Sequence, residues 1–155
     1  MGILYFEYLK TPMGTLKIAS SEEYILEITH VKEEEKSSEY IPQILKDAIT
    51  QLNEYFEGKR KEFDLKIDLK GTEFQKNVWK ELTNIKYGET KSYKDVAIKI
   101  GNEKAVRAVG MTNSKNPISI VVPCHRVIGS NKKLTGYAGG LDRKKWLLDH
   151  EKEHK

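Results

Sequence analysis

The sequence predicts an α+β protein in two parts: a small antiparallel sheet with a covering helix over residues 1–70, and a mainly helical part over residues 71–155. Three observations predict it. Branched and aromatic residues cluster in short runs before position 31, the apolar residues then switch to helical spacing, and helix-capping signatures recur from Gly71 onward. A chain of 155 residues, 38% of them apolar, buries about two thirds of its unfolded surface and needs no staples. Fibrous, collagenous and disordered classes are therefore excluded.

Residues 3–9, 16–20 and 24–30 read as strands, the first two joined through Thr11-Pro12-Met13-Gly14, a turn with Pro and Gly where turns use them. The acidic run Glu33-Glu34-Glu35 and the serines after it break that pattern. Ile41, Ile44, Leu45, Ala48, Ile49, Leu52, Tyr55 and Phe56 then recur at helical spacing up to Gly58. Residues 58–69 alternate Phe63, Leu65, Ile67 and Leu69, which fits a fourth strand or an extended linker. Thr72 with Gln75, and Ser92 with Asp95, have capping-box spacing and open two helices, the second of which Gly101 is placed to end. Asn102 is placed to cap a further helix over about residues 103–113. Two short helices joined by a glycine-containing turn form a helix-turn-helix pattern, whose second helix commonly meets DNA. The apolar run 118–122 reads as a buried strand leading to Pro123-Cys124-His125-Arg126. Residues 129–140 are a glycine- and lysine-rich loop, and Asp142 is expected to cap a final amphipathic helix reaching Glu151.

Charge divides along the same boundary. Residues 1–70 carry ten Lys/Arg against fourteen Asp/Glu, and residues 71–155 carry seventeen against nine. An acidic part joined to a basic one points to a polyanionic partner for the second. The single cysteine excludes an internal disulfide, and with four scattered histidines it leaves too few ligands for a structural zinc. No apolar run approaches the roughly 18 residues that cross a bilayer, and the N-terminus lacks a signal-peptide pattern, so a soluble cytoplasmic protein without a membrane partner is expected. Enrichment in Lys and Glu, with only three Gln, points to a thermophilic source.

Cys124 carries the clearest chemistry. A free thiol is only a few per cent ionised at neutral pH unless a base or a positive field adjoins it. His125 supplies the base and Arg126 the charge. A histidine base needs a third group to fix its tautomer, and Glu151, Asp149 and Asp142 on the last helix are all candidates that spacing does not separate.

Pro123-Cys124-His125-Arg126-Val127, preceded by Arg107-Ala108-Val109-Gly110 and Asn116-Pro117 and followed by Gly136-Tyr137-Ala138-Gly139-Gly140, resembles the O6-alkylguanine-DNA alkyltransferases over residues 74–151. The resemblance implies a ribonuclease-H-like first domain and a winged-helix-like second one. It implies that Cys124 accepts the alkyl group of O6-alkylguanine, mainly the methyl, irreversibly and once per molecule. His125 would take the thiol proton through a water, Glu151 would orient the imidazole, Tyr93 would help neutralise the departing guanine, and Asn116 would tie the recognition helix to the active-site segment. Val127, Tyr137, Ala138 and Gly139 would line the pocket for the flipped base. Tyr93, Ala105, Arg107, Thr112, Asn113, Lys115 and Arg126 would face the DNA, with Arg107 filling the gap left by the flipped nucleotide. The implied partner is double-stranded DNA, met in the minor groove with little regard to sequence by a monomer, and no cofactor or metal is implied. Ala138 departs from the serine usual in that loop, and Thr112 and Asn113 are more polar than that helix face commonly is.

Three other classes fit some of the residues. A binding-only relative of the family lacks the acceptor thiol, which Cys124 supplies. A thiol hydrolase explains the nucleophile but neither the basic second half nor the helix pair. A redox-sensing regulator needs a dimerisation helix, and none follows Glu151.

Overall fold

The computed structural model describes residues 3–155 other than 136 and 138. The chain forms two compact units, one ending at Leu69 and the next beginning at Lys70.

The first unit is a three-stranded antiparallel meander in the order β1 (Tyr5–Thr11), β2 (Gly14–Ser20), β3 (Ile25–Val31). β1 ends two residues later than the sequence suggests because its turn is tighter. Thr11 pairs with Gly14, the Met13 amide donates to Thr11 Oγ1 (3.1 Å), and Thr11 Oγ1 donates to the Gly14 carbonyl (2.7 Å). Leu16 and Ile18 on β2, and Ile25 and Ile28 on β3, are wholly buried. α1 (Gln43–Phe56) buries Leu45, Ala48, Leu52 and Tyr55, the i, i+3, i+7, i+10 stripe of its amphipathic face, and packs against all three strands.

Residues 58–69 are not a fourth strand but an extended connection tied down at two places. They make one parallel bridge, Ile67 to Ile25, with the Ile25 amide donating to Lys66 O (2.8 Å) and the Asp68 amide to Ile25 O (3.0 Å). Gln51 on α1 holds the same segment at Asp64, donating to its carbonyl and accepting from its amide.

The second unit starts with α2 (Glu73–Leu82) and continues through β4 (Lys91–Ser92) into α3 (Tyr93–Lys99). Both have full capping boxes. Gln75 N donates to Thr72 Oγ1 (3.1 Å) and Thr72 N to Gln75 Oε1 (2.9 Å), while Ser92 and Asp95 exchange bonds of 3.0 and 2.9 Å. Gly101 stops α3 at φ +81°, a left-handed conformation that a β-carbon disfavours. The next helix is split: a 3-10 turn (Glu103–Ala105) precedes α4 (Val106–Ser114), and Asn102 makes no side-chain cap bond. α3 and α4 pack together, and Trp79 Nε1 on α2 donates to Thr112 O (3.0 Å), fixing α4 from behind. Ser92→Ala is expected to cost about 1 kcal/mol, read as a lowered urea midpoint with unchanged slope.

The expected strand at 118–122 is instead a tight turn. Ser119 bridges Val122, Val122 N donates to Ile118 O (3.0 Å), and Ile120 sits at φ +75° while almost fully buried. A β-branched residue in that region is strained and persists only where its surroundings over-determine it. Here the Asn116 side chain does so: Nδ2 donates to Val122 O (2.7 Å) and Oδ1 accepts from Ile118 N (2.9 Å). A 3-10 turn (Cys124–Arg126) and β5 (Val127–Ile128) follow, β5 pairing in parallel with β4. The last helix, α5 (Leu141–Glu153), is capped by Gly140 at φ +92° rather than by Asp142, which lies in its first turn. Among the described residues no helix is long and apolar enough to cross a membrane.

Candidate active site

Cys124 opens the 3-10 turn that the Asn116 clamp delivers. Its amide donates to Val122 O (2.8 Å) and its carbonyl accepts from Asn113 Nδ2 (3.2 Å), so the residue is fixed from both sides. The side chain is 1% exposed. Burial pushes the thiol up to about 11, against a hydrogen bond from Asn116 and the charge of Lys144. The sequence suggests a thiol ionised by its neighbours. The resting thiol is neutral and covered because burial outweighs the groups that favour its ionisation, and Arg126 is not among those groups.

The charge of Arg126 is committed to Glu151. Arg126 Nε donates to Glu151 Oε1 (2.8 Å) and Nη2 to Oε2 (3.0 Å), a two-pronged grip, while Nη1 donates to Ile85 O (2.6 Å). Gly88 N donates to Oε1 as well (3.1 Å). Burial alone would raise the Glu151 carboxyl, but His125 and Arg126 beside it outweigh this and hold it well below the carboxylate range. Arg126, expected on the DNA-facing surface, is thus a buried positioning group 6% exposed. Its guanidinium points at Glu151 and Ile85, not at solvent.

His125 Nε2 lies 2.6 Å from Glu151 Oε2, both side chains buried. Burial lowers the imidazole below its ordinary value, Arg126 and Lys144 add to this, and Glu151 only partly opposes them. A neutral imidazole against an ionised carboxylate carries its proton on Nε2. Nδ1 is then the basic atom, and it is buried with no hydrogen-bond partner among the described residues. Of the three carboxylates that spacing left open, Glu151 is the one against His125. Asp149 pairs with Lys145 on the exposed side of α5.

Tyr93 begins α3, its hydroxyl donating to Thr135 O (2.7 Å) and accepting from Thr135 Oγ1 (3.2 Å). Burial raises its phenol, as would a charge on Cys124, so it stays protonated. Lys144, which sequence reasoning missed, reaches the same hydroxyl. Its fully buried Nζ donates to Val127 O, to Thr135 O and, at 3.4 Å, to Tyr93 Oη. Burial lowers this ammonium to about 8. The spacing held a faint signal: Lys144, Leu147 and Glu151 share one face of α5 at i, i+3 and i+7, so a buried Leu147 and Glu151 carry Lys144 inward with them. Lys144→Met is expected to leave the buried Val127 carbonyl without its donor, costing about 1–3 kcal/mol, and to slow any step that uses the Tyr93 phenol. A thermal melt and a single-turnover rate check the two effects.

The remaining expected residues divide by exposure. Arg107 and Lys115 are exposed on α4 and at its end, and Ala105 is half-buried. Thr112 and Asn113 are buried, correcting their assignment to the DNA-facing side: Thr112 meets Trp79 and Asn113 meets Cys124. Tyr137 is buried with its phenol raised by burial, and Gly139 O accepts from Arg143 Nη1 (3.0 Å). Val127 offers its carbonyl to Lys144, so that oxygen is already engaged. Ala138 lies outside the described residues. Among the described residues no three His, Cys, Asp or Glu side chains converge as a metal site would require.

Fold and site define a class: a two-unit α+β protein whose second unit sets a buried cysteine beside a histidine–glutamate pair, behind a helix-turn-helix with a basic outer face. Residues 73–153 match the 6-O-methylguanine DNA methyltransferase DNA-binding domain, and residues 4–69 match the ribonuclease-like domain of the same family. The chain is 44% identical to a methylated-DNA–protein-cysteine methyltransferase of Methanosarcina barkeri, covering 97% of this chain and 99% of that protein. It is also similar to the crystal structure of Mycobacterium tuberculosis O6-methylguanine methyltransferase, at 42% identity and TM-score 0.88 over 99% of this chain and 95% of that one. The Mycobacterium tuberculosis OGT structure in complex with DNA is 45% identical, with TM-score 0.87 over 96% and 93%. The chain belongs to the 6-O-methylguanine DNA methyltransferase family.

Proposed function

We propose that this protein repairs double-stranded DNA by moving the alkyl group of O6-alkylguanine, mainly the methyl, onto its own Cys124. The observation that carries the reading is the oriented pair His125 and Glu151 next to the family's acceptor cysteine, with Nε2 tied down and Nδ1 left as the base. The reading assigns DNA binding and transfer to residues 71–155 and a ribonuclease-H-like supporting domain to residues 1–70, in a cytoplasmic monomer.

The Cys124 thiol passes its proton through a water to His125 Nδ1, and the imidazolium so formed is stabilised by Glu151, which Arg126 keeps ionised. The sulfur attacks the alkyl carbon from the side opposite O6. A carbon–sulfur bond forms as the carbon–oxygen bond breaks, and the electron pair leaves with the guanine. Tyr93 turns its hydroxyl hydrogen from Thr135 O to that anion, with Lys144 beside it supporting the phenol. Water does not displace a thiolate from saturated carbon at neutral pH even with His125 beside it, so the thioether persists and each molecule turns over once.

A neutral, covered thiol at rest suits this chemistry. It resists oxidation and chance electrophiles until a flipped base brings the substrate to it. Flipping costs a few kcal/mol, repaid by the pocket and by Arg107 in the vacated stack. The test is incubation with duplex carrying labelled O6-methylguanine. Label bound stoichiometrically and irreversibly to Cys124, located by peptide mass, is the expected result; multiple turnover indicates a hydrolase, and intact lesion with bound protein a binding-only relative.

A further inference from the structure

We infer that Met111 is a second groove-entering side chain, an apolar wedge set one helical turn beyond Arg107. The inference rests on the DNA-repair reading above and adds to it a residue that no part of the transfer chemistry uses.

α4 is two-faced in an unusual sense. Val109, Thr112 and Asn113 are buried against the rest of the unit, while Arg107, Ala108 and Met111 are exposed. Met111 is 62% exposed, among the most exposed large apolar residues of the chain. Residues 107 and 111 are i, i+4 neighbours, so the two long side chains of this face stand side by side. Lys104 lies just before them and Lys115 just after, both exposed, and α4 itself contains no acidic residue. Ala108 and Gly110 are small, which lets the helix backbone approach a surface closely.

An apolar side chain with three cations at positions 104, 107 and 115 along the same segment complements a polyanion that also offers apolar surface. The wall of a DNA groove does this, with phosphates outside and deoxyribose faces and base edges within. A protein partner acidic enough to match the cations would need a hydrophobic centre as well, and nothing on α4 selects one. Proteins that distort DNA from the minor groove insert apolar residues, methionine among them, between base steps or against sugars. A flexible thioether adapts to any sequence, as a lesion-searching protein requires. The exposed face also lacks the Asn or Gln that would read a base, so Met111 serves wedging and not readout.

The apolar contact releases no counterions, and this separates it from its neighbours. Met111→Ala is expected to weaken binding to an undamaged duplex about three- to tenfold by fluorescence anisotropy, with the slope of log affinity against log salt unchanged. Met111→Leu should restore affinity, whereas Lys115→Ala should flatten the slope by about one. Thermal melts of the variants keep loss of folding distinct from loss of contact. Wild-type affinity and transfer rate in Met111→Ala would overturn the inference while leaving the repair reading intact. So would tighter binding, which makes Met111 an obstruction, or a dimer in sedimentation that Met111→Ala dissolves, which makes a second copy its partner. A wild-type protein that fails to bind duplex overturns both readings together.

Discussion

Cys124→Ser is expected to abolish alkyl transfer while leaving duplex binding unchanged. The hydroxyl is a far weaker acid and a poorer nucleophile toward saturated carbon than a thiol, and the same His125 that suffices for sulfur leaves it protonated. Burial makes the contrast larger. A site that already raises a thiol to about 11 raises a hydroxyl further, since desolvation opposes either anion. The stability cost should be small, about 1–3 kcal/mol, because the hydroxyl inherits the Asn116 hydrogen bond that the sulfur uses. Peptide mass after reaction with methylated duplex, together with anisotropy of the same complex, reads both arms. Transfer that survives the substitution refutes the nucleophile; binding lost with it shows that the sulfur has a structural part in seating DNA.

What could be read from the sequence was what is local in it. The Thr72–Gln75 and Ser92–Asp95 boxes need only three residues of chain, and both formed with every bond in place. The α1 stripe needs only periodicity. The run at 118–122 failed for the same reason in reverse: four apolar residues look alike in a strand and in a turn. What decides between them is Ile120 at φ +75° and the Asn116 amide that holds it there, neither of which periodicity detects. Arg126 failed differently, and Lys144 drew no reading at all. A basic residue in a basic half reads as a contact for a polyanion, but Arg126 finds Glu151 25 positions away and Ile85 41 positions away, and Lys144 finds carbonyls at Val127 and Thr135. Long-range pairing made internal supports of two basic side chains, while the neutral state of the cysteine comes from its burial, which the Lys144 charge only partly offsets.

Glu151→Gln should show how much those supports matter. The carboxylate accepts from His125, twice from Arg126 and from Gly88 N, and Gln at the same place offers one acceptor oxygen and no charge. Arg126 is then left buried without its counter-ion, a defect worth about 3–5 kcal/mol. For a unit of this size that is a fall in melting temperature on the order of 15 °C. The pH dependence has a definite sign. Glu151 is held below its unfolded value, so its contribution is complete above the ordinary carboxylate range, near pH 4.5, and is lost as pH falls below it. Wild type and Glu151→Gln should therefore differ most at neutral pH and converge in acid. Transfer should slow by about a hundredfold or more, since an amide can pair with either imidazole tautomer and so selects neither, and it does not stabilise the protonated form. Full activity in a destabilised Glu151→Gln would assign Glu151 to architecture alone and leave His125 without an orienting group. A stable but slow variant would instead locate its whole effect in the proton transfer from Cys124.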